Sequence, residues 1–179
     1  MTLVVFVEEA SMEATLEILL PKLGVDPTTV QIITHQGKTD LDRSWRRKLP
    51  VWNVPDTNFM ILRDNDGGDC LRLKRELLQI AIDCDKAAKT SVRLVCQELE
   101  AWFIGDRDAL IAAGYLRKRS NPRELRNPDA HSKPSEILAR WKRGRQKILG
   151  AREIAEHMNP GQNSSPSFNH AMQSIRSLT

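Results

Sequence analysis

Pairs of acidic residues follow two of the most apolar short runs in this chain. The run that ends at Leu62 reads as a buried strand, and Asp64 and Asp66 come almost directly after it. A similar run opens the chain and leads into Glu8 and Glu9. Mg²⁺ prefers oxygen ligands and usually takes only one or two carboxylates from a protein. These residue types therefore indicate a site for a hard divalent cation, Mg²⁺ or Mn²⁺.

The spacing of Asp64 and Asp66 fits this chemistry, because alternate residues of an extended segment point the same way. Both carboxylates can then share one cation, with Glu8 and Glu9 supplying further oxygens. Several carboxylates gathered in one place repel one another unless a cation is present. The alternative is structural: acidic residues at these positions also suit a turn and the N-terminus of the next helix.

Four short apolar segments predict strands, and helical spacing of apolar residues follows the first, third and fourth of them. Alternating strands and helices predict a parallel sheet with helices on both faces. Ligands of such sheets bind beyond the carboxyl ends of the strands. The acidic residues after the first and third strands, Glu8, Glu9, Asp64 and Asp66, should therefore meet at one edge of the sheet, the acidic rim. The predicted strands are residues 3–7, 30–34, 58–62 and 92–96.

Two helix boundaries follow from local signals. Ser11 is a suitable N-cap for the first helix, and residues 97–110 read as one continuous helix. The latter begins with Glu98 and Glu100, and residues two apart on a helix do not share a face. We expect one of the pair to face the rim, and we favour Glu98 for function and Glu100 for structure.

A turn after the second strand carries His35 and Lys38. Lys38 could contact a phosphate and His35 could move a proton, although a single histidine beside a turn is more often a hydrogen-bonded loop residue. The segment is not a P-loop, because Ile32 occupies the place of its first glycine. The chain also has no Gly-x-Ser-x-Gly elbow and no dinucleotide-binding glycine loop.

The formal net charge of +4 is unevenly distributed. Acidic residues outnumber basic ones up to Tyr115, and basic residues dominate from Arg117 to Arg152. An acidic half beside a basic half indicates a metal site next to a polyanion, here nucleic acid. The alternative is a solvated helical face. The basic residues predicted to follow the nucleic-acid backbone are Arg140, Lys142, Arg143, Arg145 and Lys147.

Other features limit the location of the protein. No apolar stretch approaches the length needed to span a bilayer, and the N-terminus has no signal-peptide pattern. The three cysteines are odd in number and lack paired metal-ligand spacing, which fits a reducing compartment. We therefore expect a cytoplasmic protein without a membrane partner.

Several segments together resemble a known bacterial family. They are Val7-Glu8-Glu9-Ala10-Ser11-Met12, His35-x-Gly37-Lys38-x-Asp40-Leu41, Arg63-Asp64-Asn65-Asp66 with Asp69-Cys70, Cys96-Gln97-Glu98-Leu99-Glu100-Ala101-Trp102-Phe103-x-Gly105-Asp106, Asn127-Pro128 and Ser165-Pro166-Ser167-Phe168. Across nearly the whole chain they look like domain-of-unknown-function family number 4276, which is grouped with Toprim-like proteins.

The resemblance implies a metal-binding role for three residues. Toprim domains bind Mg²⁺ through a Glu after the first strand and an Asp-x-Asp after a later one, which assigns these roles to Glu8, Asp64 and Asp66. Glu9 stands where Toprim proteins often have Gly, and Gln97 stands where Arg is expected. Members of the family are thought to act beside an ATPase in defence against foreign DNA.

We therefore expect a Toprim-like, Rossmann-like three-layer α/β domain over residues 1–115, with a parallel sheet of order 2-1-3-4. Residues 116–179 should form a basic, loop-rich extension packed on it. The leading hypothesis is a Mg²⁺-dependent nuclease, with Lys38 at the scissile phosphate and Glu9 or Glu98 assisting. The alternatives are a non-catalytic nucleic-acid-binding or regulatory partner of an ATPase, and a metal-dependent small-molecule phosphohydrolase.

Overall fold

The computed structural model describes all residues from 1 to 179 and has a four-stranded parallel sheet at its centre. The strand order is β2-β1-β3-β4, with helices packed on both faces. The α/β class, the three layers and the strand order predicted from the sequence are confirmed. The strands are β1 (Thr2–Val7), β2 (Val30–Thr34), β3 (Thr57–Asp64) and β4 (Thr90–Val95).

The register of the central strands determines which rim residues meet. Val7, the last residue of β1, pairs with Leu62 of β3 on one side and with Thr34 of β2 on the other. β3 continues for two more residues, and Asp64 pairs with Val95 of β4. Because these ends lie side by side, the residue after Val7 emerges next to the end of β3.

Eight α-helices accompany the sheet, and short 3₁₀ turns precede β2 and β4. None of the helices combines the length and the apolar composition needed to cross a membrane. The helices are α1 (Ala10–Lys22), α2 (Lys38–Val51), α3 (Cys70–Ile82), α4 (Glu100–Ile104), α5 (Arg107–Ala112), α6 (Pro134–Trp141), α7 (Lys147–His157) and α8 (Pro166–Leu178).

The alternation of side chains along β1 divides the core into two layers. Leu3 and Val5 face the larger apolar cluster, which includes α1 and the C-terminal helices, whereas Val4 and Phe6 face the smaller one beneath α2 and α3. Ten buried apolar residues after 116 belong to the larger cluster, among them the fully buried Phe168 of α8. The C-terminal segment is thus part of the same core as the sheet.

Two helix boundaries predicted from the sequence are wrong. Ser11 lies inside α1, whose N-cap is Glu9, and its hydroxyl donates to the Glu9 carboxylate. The predicted helix over residues 97–110 is two helices, α4 and α5. Asp106 starts the second one, because its Oδ1 accepts the Ala109 N–H at 3.0 Å and its Oδ2 accepts the Asn159 N–H at 2.8 Å. A local N-cap and one contact distant in sequence thus override the helical pattern.

Candidate active site

The first-strand glutamate and the third-strand aspartate meet at the rim. The backbone N–H of Asp64 donates to Glu8 Oε2 at 3.0 Å. Asp64 is only 6% exposed, and its Oδ1 is buried without a hydrogen-bond partner. A buried acceptor with no partner is rare in folded proteins and costs stability. The sheet register therefore places the Glu8 carboxylate against the Asp64 backbone, where its charge acts on the Asp64 carboxyl group, and Asp64 Oδ1 is free to bind something else.

Both carboxyl groups hold protons more tightly than usual. Burial raises the pKa of Asp64 well above its ordinary value, and the charges of Glu8, Glu9 and Glu100 add to this, while Lys147 opposes it. Burial also raises the pKa of Glu8, although the hydrogen bond from the Asp64 N–H acts in the opposite direction. The cause in both cases is negative charge gathered in a poorly hydrated place.

Asp66 lies beyond the end of β3 in a left-handed backbone conformation, with φ of 50°. Its N–H donates to the carbonyl of Gln97 at 3.1 Å, and its carboxylate pairs with Lys38 Nζ at 2.9 Å. This hydrogen bond and the charge of Asp66 raise the pKa of Lys38. The same charge contributes to the raised pKa of Glu8. Lys38 and Asp66 thus border the Glu8–Asp64 pair as a partly exposed ion pair.

Glu9 is held by a residue from the C-terminal segment. Lys147 Nζ lies 2.5 Å from Glu9 Oε2, and Ser11 donates to the other carboxylate oxygen. Burial lowers the pKa of Lys147, but the hydrogen bond to Glu9 and the charges of Glu9, Glu100 and Asp64 outweigh it, so that the net shift is upward. Lys147 is therefore a built-in counter-ion of the acidic rim.

The two acidic residues after β4, Glu98 and Glu100, have partners in different parts of the fold. Glu98 Oε2 accepts the N–H of Ser135 at 2.7 Å, in the first turn of α6. Glu100 is 2% exposed and pairs with Arg145 Nη2 at 2.5 Å. It is Glu100, not Glu98, whose charge acts on Asp64. The sequence favoured Glu98 for function and Glu100 for structure, but in the structure Glu98 accepts from α6 and it is Glu100 that lies close enough to act on Asp64.

The five basic residues predicted to bind nucleic acid do not form one free surface. Arg145 and Lys147 are paired with Glu100 and Glu9. Two others also have acidic partners, since Arg140 Nη2 lies 3.5 Å from Glu124 Oε1 and Lys142 Nζ lies 2.7 Å from Glu153 Oε2. Arg143 alone of the five is exposed without an ion pair. The segment from α6 to α7 thus folds back onto the acidic rim.

His35 is buried at the end of β2. Its Nδ1 lies 2.9 Å from the carbonyl of Val7, so Nδ1 carries the proton and donates it. The ring stacks on Phe6 with centroids 5.9 Å apart, and Nε2 has no partner. The hydrogen bond to Val7 joins the end of β2 to the end of β1, directly before Glu8.

Carboxylate oxygens at adjacent strand ends suit Mg²⁺, and the unpartnered Oδ1 of Asp64 provides an acceptor that such an ion would satisfy. Glu9 and Asp66 are directed at lysines instead. Accordingly, no group of three or more His, Cys, Asp or Glu side chains is arranged to hold a metal ion. Glu8 and Asp64 are therefore the pair that fits the ion, and recruiting a third carboxylate requires breaking an ion pair.

The chain belongs to the family described as "Domain of unknown function (DUF4276)", whose model matches residues 7–176. The match includes every acidic residue of the rim and the basic segment that covers it. Neither the curated proteins nor the solved structures contain a significant match to this chain.

Proposed function

We propose that this protein is a Mg²⁺-dependent, Toprim-like nuclease that hydrolyses phosphodiester bonds at the acidic rim. One observation carries the proposal: Asp64 is buried beside Glu8 with one carboxylate oxygen unpartnered. Keeping such a group costs stability in the absence of a ligand. Binding and catalytic residues are commonly held in arrangements that lower the stability of the folded protein in this way.

Each residue of the rim has a role in this proposal. Glu8 and Asp64 would hold the ion, with Asp66 or Glu9 joining them once its lysine is displaced. Lys38 lies within 2.9 Å of Asp66 and is partly exposed, so it is placed to contact a phosphate oxygen. Exchange of a carboxylate partner for a phosphate preserves the charge balance of the lysine.

Bound Mg²⁺ would supply charge neutralisation at the phosphate and lower the pKa of an attacking water. The chain itself positions the reacting groups. Glu9 is placed to accept a proton from that water when Lys147 moves away, because its carboxylate is otherwise held at the rim only by Ser11. Glu100 and Arg145 are buried as a pair and would orient the surrounding rim rather than contact the substrate.

A second candidate is a non-catalytic partner of an ATPase or of nucleic acid, in which the acidic residues only order the rim. The internal ion pairs favour it: Glu9, Asp66 and Glu100 each already have a basic partner. In that case the rim is complete without a metal ion, and the basic residues are structural.

The test compares cleavage of single- and double-stranded DNA and RNA with Mg²⁺, with Mn²⁺ and with a chelator. The nuclease proposal expects metal-dependent cleavage that is lost in Asp64→Asn and Glu8→Gln. It also expects unchanged cleavage in Asp108→Asn, because Asp108 is an exposed aspartate on α5. Cleavage that persists in Asp64→Asn or in chelator contradicts the proposal. Binding without turnover on any substrate favours the second candidate.

A further inference from the structure

The outer edge of β4 is an open groove between two helices. β4 is the last strand of the sheet, and α3 and α8 pack against it from opposite sides. Within residues 91–94, no backbone group bonds to any protein group other than the neighbouring strand β3. The groove along this edge has a volume of about 320 Å³. An unpaired strand edge in a groove is a template for an added strand.

The lining of the groove combines apolar surface with positive charge. Val92 and Leu94 of β4 contribute to it, and Leu71 of α3, which is 75% exposed, borders it. Lys74 and Arg93 also line the groove without an acidic partner, although Arg93 Nε donates a hydrogen bond to the neutral Ser174 Oγ at 2.6 Å. An extended chain that binds here would meet apolar side chains and two unneutralised cations.

The groove has one acidic side chain, Asp129, which the two cations Lys74 and Arg93 outnumber. Asp129 accepts hydrogen bonds from Ser165 Oγ at 2.6 Å and from the Ser167 N–H at 2.7 Å, so both of its oxygens are directed to the start of α8. His170 of α8 lies on the same side of the groove. The net character of the groove is therefore basic.

We propose that this groove binds an extended, acidic segment of a partner protein, which adds to β4 as a fifth strand. Main-chain hydrogen bonds to residues 91–94 would supply affinity, and apolar side chains of the segment would pack on Leu71 and Leu94. Acidic residues of the segment would pair with Lys74 and Arg93. The proposal does not depend on the chemistry of the acidic rim.

Charge disfavours a second copy of this chain as the occupant. Two copies joined through their β4 edges would bring Lys74 and Arg93 of one close to the same residues of the other. Like charges at an interface oppose association. An acidic segment instead complements the cations that line the groove.

The experiment selects a library of random ten-residue peptides, displayed on phage, against the immobilised full-length chain. The expected result is enrichment of peptides with alternating apolar residues and an excess of Asp and Glu. A synthetic copy of the most enriched peptide should protect the amides of residues 91–94 from hydrogen exchange. Lys74→Glu should weaken binding of this peptide by about tenfold. Lys118→Glu should not weaken it, because Lys118 is exposed and does not line the groove.

Three outcomes overturn the proposal. The first is that no peptide is enriched, or that the enriched peptides lack an acidic excess. The second is that binding is equal in the chain with Lys74→Glu and in the unaltered chain, or that exchange protection falls elsewhere. The third is that sedimentation at increasing protein concentration shows a dimer whose formation protects residues 91–94, since a second copy would then occupy the edge.

Discussion

Replacing Asp64 with asparagine should make the protein more stable and unable to respond to Mg²⁺. Asp64 is 6% exposed, and its unpartnered Oδ1 faces other acidic groups. An amide of the same shape removes the buried charge, and relief of such functional strain commonly gains about 0.5–2 kcal/mol in the free energy of unfolding. For a chain of this size, the gain corresponds to a rise in Tm of about 1–8 °C.

The gain should depend on pH in a definite direction. Because the pKa of Asp64 is raised in the folded state, the unfolded chain loses this proton first as the pH rises, near the ordinary aspartate value of about 3.9. The stability of the unaltered protein then falls until the pH passes the raised pKa. The difference between Asp64→Asn and the unaltered protein should therefore vanish near pH 4 and reach its full value well above the raised pKa.

The assay is thermal unfolding followed by circular dichroism at several pH values, with a chelator and then with Mg²⁺. An ion at about one hundred times its Kd stabilises the protein that binds it by about 2.7 kcal/mol, or about 5–11 °C in Tm. The unaltered protein and the exposed control Asp108→Asn should show this rise, and Asp64→Asn should not. A lower Tm for Asp64→Asn at pH 8, or the same gain at pH 4, would refute the reasoning.

Three further predictions concern packing and reactivity. Arg145→Met leaves its buried carboxylate partner unpaired and should lower the free energy of unfolding by about 3–5 kcal/mol in urea titrations; a loss below 1 kcal/mol would contradict the buried pair. Gly105→Ala should cost about 1–3 kcal/mol by the same measurement, because its Cβ would lie 2.2 Å from Asn163 Oδ1; an unchanged midpoint would contradict this close approach. Burial, together with the charge of Asp129, raises the pKa of Cys96 to about 11. Iodoacetamide at pH 8 should therefore modify the exposed Cys70 before Cys96, which mass spectrometry of peptides will measure. Modification of Cys96 before Cys70 would contradict the burial of Cys96.

The sheet could be predicted from the sequence because each strand is a local signal. The apolar runs ending at Val7 and Leu62 mark the central strands, and their alternation with helical segments dictates a parallel sheet whose carboxyl ends share one rim. The meeting of Glu8 with Asp64 follows from that topology and is found in the structure. Where local pattern and topology agreed, the prediction was sound.

The partners of the acidic residues could not be predicted, since they come from parts of the chain far away in sequence. Arg145 and Lys147 read as free positive charge, yet they pair with Glu100 and Glu9 across the fold. Charge patterning reports how many basic residues a segment has, but not which side chains the tertiary structure turns inward. The break in the helix at Asp106 has the same origin, because one of its bonds comes from the distant Asn159.

The central claim is that a divalent cation binds between the ends of β1 and β3. The most direct measurement is an anomalous difference map from crystals of the protein soaked in Mn²⁺. We predict a peak within coordination distance of the carboxylates of Glu8 and Asp64, and its absence from crystals of Asp64→Asn. A map with no peak at this rim, or with a peak only at other carboxylates, would contradict the account.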